Sequence, residues 1–126
     1  MVVKTSSSHR PSLREFREAS RRIAGVALRT PLIPLRWYNG NQDILLKPEV
    51  LQPIGSYKIR GVYNWAACLD PEKRACCIST LSAGNMAQAV AYVSNLFGVP
   101  SRAVILDTAP KSKIDAVKRY GAEVII

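Results

Sequence analysis

Residues 75–107, with the sequence ACCISTLSAGNMAQAVAYVSNLFGVPSRAVILD, contain the clearest alternation of secondary structure in the chain. An apolar run over 75–79 predicts a short buried strand, and the small residues over 81–85 predict a loop. The apolar spacing over 86–97, closed by Gly98, predicts a helix, and a second apolar run predicts a strand over 102–107. The stretch is therefore predicted to form a strand–helix–strand unit.

The same alternation continues on both sides of this unit. Upstream we predict a strand over 43–47, a loop over 51–56 and a helix over 57–69, and downstream a helix over 110–120 and a strand over 123–126. Strands that alternate with helices predict an α/β fold with a parallel sheet, flanking helices and right-handed crossovers. Because a parallel sheet buries both of its faces, a final strand without a neighbour predicts a truncated unit.

The N-terminal region has a different character. Residues 1–12 are polar and are predicted to form a flexible tail. Ser12 and Glu15 have the spacing of a capping box, which predicts a helix that begins at Leu13 and runs over 13–28. After this helix we predict an extended stretch over 30–35 and a turn at Asn39-Gly40-Asn41.

Composition limits the classes of function. The chain has 126 residues, of which 48% are hydrophobic and 21% charged, as expected for one globular domain. No apolar run approaches the roughly 20 residues that cross a membrane. The net charge is +9, and 8 of the 18 basic residues lie within residues 1–36. We interpret this excess as a solvated helix face, because no nucleic-acid-binding motif accompanies it, so no nucleic-acid or membrane partner is expected.

The cysteines and the single histidine do not suggest a disulfide framework or a metal site. Cys68, Cys76 and Cys77 are odd in number and two of them are adjacent, which predicts reduced, mostly buried thiols in a cytoplasmic protein. Cys76 and Cys77 fall in the strand predicted over 75–79. His9 lies in the polar tail, and no set of residues has metal-ligand spacing.

The segment Gly55-Ser56-Tyr57-Lys58-Ile59-Arg60-Gly61 is the first candidate for chemistry. It places Lys58 in the first turn of a helix that Ser56 can cap. The positive end of the helix dipole disfavours a cation at this position and so favours the neutral, nucleophilic amine. Tyr57 and the small residues around it could flank a flat aromatic ring. The spacing alone favours an ordinary surface lysine near a helix start.

The loop Ser82-Ala83-Gly84-Asn85 is the second candidate. It lies between a predicted strand and a predicted helix, where small residues allow backbone N–H groups to approach an anion. Asn85 adds a hydrogen-bond donor and acceptor. An ordinary tight turn explains the same residues. Ser82 has no evident His and Asp partners in the sequence, so a hydrolase triad is not expected.

Taken together, these segments resemble the fold-type II enzymes that depend on pyridoxal phosphate (PLP), which include serine/threonine dehydratases and serine racemases. Residues 47–61 resemble the family's PLP-lysine segment, and residues 82–89, reading Ser-Ala-Gly-Asn-Met-Ala-Gln-Ala, resemble its asparagine loop. Thr30-Pro31-Leu32 and residues 113–124 resemble further segments of the same domain. The resemblance covers residues 13–126 in uninterrupted order.

The resemblance implies a role for each matching residue. Lys58 would hold the cofactor as a Schiff base and then move the substrate's α-proton. Asn85 would hydrogen-bond the hydroxyl of the cofactor ring, and Tyr57 would lie beside the ring, where the family usually has Phe. The loop that binds the substrate carboxylate would consist of Ser82, Ala83, Gly84 and Met86. The implied reaction is dehydration of L-threonine or L-serine to a 2-oxo acid and ammonia, with PLP as the cofactor.

The departures from the family pattern qualify this expectation. Met86 replaces a common His, and Ala83 replaces the Ser of serine racemases, which favours a dehydratase. Residues 13–126 would be a partial domain: the N-terminal segment of the cofactor domain followed by most of the small α/β domain. The family's Gly-rich phosphate loop lies further along a longer, homo-oligomeric chain, so activity is expected only with the missing C-terminal half. A truncated, non-catalytic relative that interacts with a full-length enzyme is the alternative.

Overall fold

The computed structural model describes residues 10–37, 40 and 43–126. Residues 1–9 of the predicted tail, with His9, and both Asn39 and Asn41 of the predicted turn lie outside the described residues. In chain order the elements are α1 (Leu13–Arg22), β1 (Ile33–Pro34), β2 (Leu45–Leu46), a short 3-10 helix (Glu49–Leu51), α2 (Lys58–Cys68), α3 (Pro71–Cys76), β3 (Ile78–Leu81), α4 (Asn85–Phe97), β4 (Ser101–Val104), α5 (Lys111–Arg119) and β5 (Glu123–Ile125).

A three-stranded parallel sheet in the order β3-β4-β5 forms the centre of the fold. Ile78 pairs with Ser101, and Arg102 pairs with Glu123. Helix α4 connects β3 to β4, and α5 connects β4 to β5, so each parallel connection contains a helix. The predicted α/β class with a parallel sheet and flanking helices is confirmed.

The strand predicted over 43–47 does not belong to this sheet, and that part of the prediction is wrong. Only Leu45–Leu46 is a strand, and it pairs antiparallel with Ile33–Pro34 in a separate two-stranded sheet. Its partner strand belongs to the extended stretch predicted over 30–35. Pro34 in that strand has no N–H to donate to the ladder, which is tolerated in an edge strand. This small sheet precedes the segment that leads into α2.

Helix α1 begins as predicted and ends early. The Ser12 hydroxyl and the Glu15 carboxylate form the reciprocal capping box. The helix ends at Arg22 rather than continuing over 13–28, because Gly25 adopts a left-handed φ of 83° and turns the chain. The residues after the turn, Val26 and Ala27, then pack against the core.

The strand predicted over 75–79 is also displaced, because a helix that the sequence reading missed occupies its first residues. Pro71 takes the first position of α3, where its missing N–H costs nothing, and the Asp70 carboxylate accepts a hydrogen bond from the Glu72 N–H at 3.0 Å. Strand β3 therefore begins at Ile78. The expectation of buried thiols is wrong as well, since Cys68 and Cys76 are exposed and Cys77 is half-buried, and all three are free.

Helix α4 organises the core by burying two faces. One face joins a cluster with α2 and the start of β3, made of Ile54, Ile59, Val62, Ala66, Ile78, Ala89, Val90 and Val93. The other joins a cluster with β4 and α5, made of Ala87, Ala91, Ala103, Ile105, Val117 and Ala122. Because most of the buried side chains on α4 are small, the helix can approach both neighbours closely. Gly98 ends the helix as predicted, with a left-handed φ of 65°.

Candidate active site

A largely apolar cleft of about 470 Å³ opens beside the start of α2. It extends along α2 and α4 and reaches the edge of β3. Its lining consists of Tyr57, Lys58, Arg60, Gly61, Val62, Trp65, Ser79, Thr80, Met86 and Val90. A concave apolar site with a few polar groups is the usual form of a small-molecule pocket.

Lys58 is the first residue of α2 and lies at the wall of this cleft. Its side chain is half-buried, and its Nζ lies 4.9 Å from the centroid of the Tyr57 ring. The preceding loop is held locally, because Gly55 takes a left-handed φ of 66° and the Ser56 hydroxyl accepts from the Lys58 N–H at 3.3 Å. The sequence therefore identified the loop, the cap and the helix start that position the lysine.

The second predicted segment lies next to the cleft. Asn85 begins α4 and is exposed, and Met86, the next residue, lines the cleft. Within the loop, the Ser82 hydroxyl accepts a hydrogen bond from the Gly84 N–H at 3.1 Å, so one of the expected backbone donors already has a partner. The structure thus brings Tyr57, Lys58 and Met86 to one cleft, while the lining does not include Ser82, Ala83, Gly84 or Asn85.

A polar network behind Lys58 was not foreseen from the sequence. Arg60 donates to both carboxylate oxygens of Glu49, from Nε to Oε2 and from Nη2 to Oε1, each at 2.8 Å. Thr30 Oγ1 donates to Glu49 Oε1 at 2.6 Å, and Gln52 Nε2 donates to Glu49 Oε2 at 3.2 Å. Opposite charges in a loop and a following helix were the available signal, yet their separation of 11 residues fits no local spacing rule.

This network depresses the pKa of the Glu49 carboxyl. The hydrogen bond from Arg60 is the largest cause, and together with the hydrogen bonds from Thr30 and Gln52 and the charge of Arg60 it lowers the pKa from 4.5 to about 2 despite the opposing effect of burial. The same bond raises the pKa of Arg60. The pair therefore remains ionised through the physiological range of pH.

We expect this ion pair to make the stability of the chain depend on acid. Because folding lowers the Glu49 pKa, its contribution is complete above about pH 4.5 and is lost as the pH falls through about 2. Charged hydrogen bonds of this kind contribute about 1.5–3 kcal/mol. Urea unfolding of wild type and Glu49→Gln should show a gap in free energy at pH 6 that narrows between pH 4.5 and 2. A gap independent of pH would contradict the expectation, and Glu123→Gln, in an exposed pair with Arg102, serves as the control.

Comparison with known proteins assigns the chain to a family. Residues 23–126 match the family described as pyridoxal-phosphate dependent enzymes. This chain belongs to that family. The family membership expected from residues 47–61 and 82–89 is confirmed. PLP is confirmed as the cofactor on which the family depends.

Individual relatives are threonine ammonia-lyases and serine racemases. The chain is 42% identical to the L-threonine ammonia-lyase of Thermotoga maritima over 118 residues, which covers 91% of this chain and 29% of that protein. It is 35% identical to the serine racemase of Oryza sativa subsp. indica over 122 residues, covering 95% of this chain and 36% of the relative. The structure of maize serine racemase matches with a TM-score of 0.81 and 39% identity, over 86% of this chain and 34% of that one. The chain therefore spans about a third of the length of these relatives.

The described residues contain neither a candidate membrane span nor a candidate metal site. Over 10–37 and 43–126, no helix combines the length and the apolar character that a membrane span requires. Within the same part of the chain, no three or more His, Cys, Asp and Glu side chains cluster so as to hold a metal ion.

Proposed function

We propose that this chain provides the N-terminal part of a PLP-dependent enzyme that converts L-threonine or L-serine into a 2-oxo acid and ammonia. The observation that carries the proposal is Lys58 at the wall of an apolar cleft, in a chain 42% identical to an L-threonine ammonia-lyase. Residues 13–126 would comprise the N-terminal segment of the cofactor domain and most of the small α/β domain. The remainder of the enzyme would complete the site.

The cleft fits the reactive end of the cofactor. It offers a primary amine at Lys58 and, 4.9 Å from that amine, the flat ring of Tyr57. Among the described residues that line it, Arg60 is the other cation, and its Nε and Nη2 already donate to Glu49. Apart from the hydroxyls of Ser79 and Thr80, this lining offers the charged cofactor phosphate few donors, so cationic or backbone donors from the remainder of the enzyme would complete its site.

The proposed roles follow the family pattern. The Lys58 amine would hold the cofactor and later take the proton from the substrate α-carbon. Asn85 would hydrogen-bond the hydroxyl of the cofactor ring, and Tyr57 would flank the ring. The loop for the substrate carboxylate would comprise Ser82, Ala83, Gly84 and Met86. When bound, PLP supplies the electron-withdrawing group that makes the α-proton removable.

The balance of atoms is that of a dehydration followed by hydrolysis. The amino acid loses its α-proton, which Lys58 would accept, and its β-hydroxyl departs with a proton as water. The resulting enamine takes up a proton at the β-carbon and becomes an imine, and addition of water at the nitrogen-bearing carbon then releases ammonia and leaves a carbonyl group. L-threonine would give 2-oxobutanoate, and L-serine would give pyruvate.

Racemisation of serine is the second candidate, because serine racemases of two plants are among the relatives. A racemase must return a proton to the opposite face of the α-carbon, which requires a second proton-carrying group. Ala83, where the resemblance indicates a Ser in racemases, has no group that could carry a proton. This residue favours the elimination.

A chimera tests the proposed reaction. Residues 23–126 would replace the matching segment of the Thermotoga maritima enzyme, and 2-oxo acid formation from L-threonine and L-serine would be measured. We expect 2-oxo acid from the chimera and a loss of several orders of magnitude when it carries Lys58→Ala. The Ala83→Ser chimera provides the comparison for racemisation.

Two outcomes would contradict the proposal. Formation of D-serine as the main product from L-serine would indicate a racemase. A folded chimera that binds PLP yet forms neither product would favour the non-catalytic alternative, in which the chain acts by interaction with a full-length enzyme.

The whole enzyme is proposed to be a cytoplasmic homo-oligomer that acts on a small amino acid, without nucleic-acid or membrane partners. The three free cysteines and the family resemblance support this setting.

A further inference from the structure

The Glu49–Arg60 pair closes the stretch of chain that contains Lys58. Glu49 lies in the 3-10 helix before the loop, and Arg60 lies in the first turn of α2, two residues after the lysine. The two parallel N–H···O bonds of 2.8 Å make the pair bidentate, which fixes orientation as well as distance. The ends of the segment 49–60 are therefore held together, with Lys58 near the closing end.

Within segment 49–60, burial and a backbone hydrogen bond restrict the conformation. Gln52 and Ser56 are buried, and the Gly55 N–H donates to the Gln52 carbonyl at 2.7 Å, which tightens the turn. Gly55 itself has a left-handed φ, so this turn suits a residue without a Cβ. The backbone between the Glu49–Arg60 pair and Lys58 is consequently constrained.

The Glu49–Arg60 pair and Gln52 are also bonded to the N-terminal part of the chain. The Gln52 side chain accepts from the Leu28 N–H at 2.9 Å and donates to the Leu28 carbonyl at 2.8 Å. Arg60 Nη2 donates to the same carbonyl at 2.7 Å, and Thr30 donates to the Glu49 carboxylate. The position of the lysine is therefore tied to residues 28–30 by side-chain bonds rather than by a sheet.

Arg60 borders the same cleft as Lys58, two residues further along α2. Residues two apart on an α-helix are separated by about 200° around its axis. Arg60 contributes to the cleft wall, but its Nε and Nη2 are occupied by Glu49 and Leu28. Its contacts thus tie the first turn of α2 to Glu49 and Leu28 rather than to a group in the cleft.

We propose that Glu49 and Arg60 are positioning residues that hold the first turn of α2, and with it the Lys58 amine, at the wall of the cleft. The inference rests on the proposed function, in which Lys58 reacts with the aldehyde of PLP. Under this proposal, Glu49 and Arg60 increase the rate at which Lys58 reacts with that aldehyde in the 126-residue chain.

Labelling of the 126-residue chain with PLP tests the proposal. PLP is added, the bond between amine and aldehyde is reduced with borohydride, and the labelled lysines are quantified by mass spectrometry. Arg60→Lys retains the charge but cannot form the bidentate pair, and Glu49→Gln removes the charge. We expect each to slow labelling of Lys58 by about tenfold. The double variant should be no slower than the worse single variant, because the two residues act as a unit.

Controls separate positioning from general stability. Arg102→Lys alters another Arg–Glu pair, whose Nε–Oε2 distance is 2.7 Å and whose two residues do not line the cleft. It should label Lys58 at the wild-type rate. Lys111 and Lys113, both exposed, provide an internal reference in every sample, since partial unfolding would not lower labelling of Lys58 alone. All comparisons are made under conditions in which circular dichroism shows the variants to be folded.

A measurement without cofactor keeps the two proposals distinguishable. Amide hydrogen exchange at residues 55–59 should be about tenfold faster in Arg60→Lys than in Arg102→Lys. Unchanged exchange, or a wild-type labelling rate in Arg60→Lys, overturns the positioning role. If wild-type Lys58 labels no faster than Lys111, Lys58 is not a selectively reactive amine in this chain. The chimera then tests the proposed function, and the exchange experiment alone decides the role of the Glu49–Arg60 pair.

Discussion

Replacement of Lys58 with alanine is expected to abolish the absorbance band, at the violet edge of the visible range, that forms at PLP concentrations too low to label the exposed lysines. The band requires an amine that bonds to the cofactor aldehyde, and alanine offers none. Lys58 is half-buried at the wall of the cleft, where apolar walls exclude water from that bond. The measurement is a titration of wild type and Lys58→Ala with PLP, followed by absorbance.

Lys111 supplies a matched control for this experiment. It is the first residue of α5, as Lys58 is of α2, and neither helix has a side-chain cap from its N-cap residue. Lys111 is exposed and does not line the cleft, so Lys111→Ala should retain the band. Equal loss in both variants would mean that a helix start alone makes a lysine reactive. A band that persists in Lys58→Ala would remove Lys58 from its proposed role.

The sequence predicted the elements around the cleft well because their boundaries depend on local chemistry. Helix α4 was predicted to within one residue at its start, and its end at Phe97 follows from the left-handed Gly98. Helix α2 differs from the prediction by one residue at each end, with Ser56 bonded to the first-turn N–H as expected. Caps and glycine stops act within a few residues, so they can be recognised without knowledge of the tertiary structure.

The errors arose where two local signals competed or where the cause lay far along the chain. Asp70-Pro71 was interpreted as the end of α2, although the same pair starts α3 through a capping carboxylate and a first-position proline. The apolar Cys76-Cys77 pair then suggested a strand that begins only at Ile78. The Glu49–Arg60 pair joins residues 11 apart, and Arg60 also contacts Leu28, 32 residues away; no periodicity predicts either contact.

Ile59→Ala is expected to have the largest effect on stability of any single truncation near the site. Ile59 is 0% exposed and belongs to the core cluster that joins α2 to α4. Its truncation leaves a cavity, and such changes cost about 2–5 kcal/mol, a large part of the 5–15 kcal/mol that stabilises typical domains. The measurement is the free energy of unfolding from urea titrations followed by circular dichroism.

The comparison variant for Ile59→Ala lies on α1. Leu13 is 65% exposed, and α1 has no buried residue, so Leu13→Ala should change the free energy of unfolding by less than about 0.5 kcal/mol. Similar effects of the two substitutions would show that the α2–α4 contact is not a packed core. Because Ile59 directly follows Lys58, Ile59→Ala also weakens the packing on which the reactive lysine depends. If Ile59→Ala is folded at low temperature, PLP should label its Lys58 at the wild-type rate there and more slowly on warming. In Arg60→Lys the labelling of Lys58 should be slow at both temperatures.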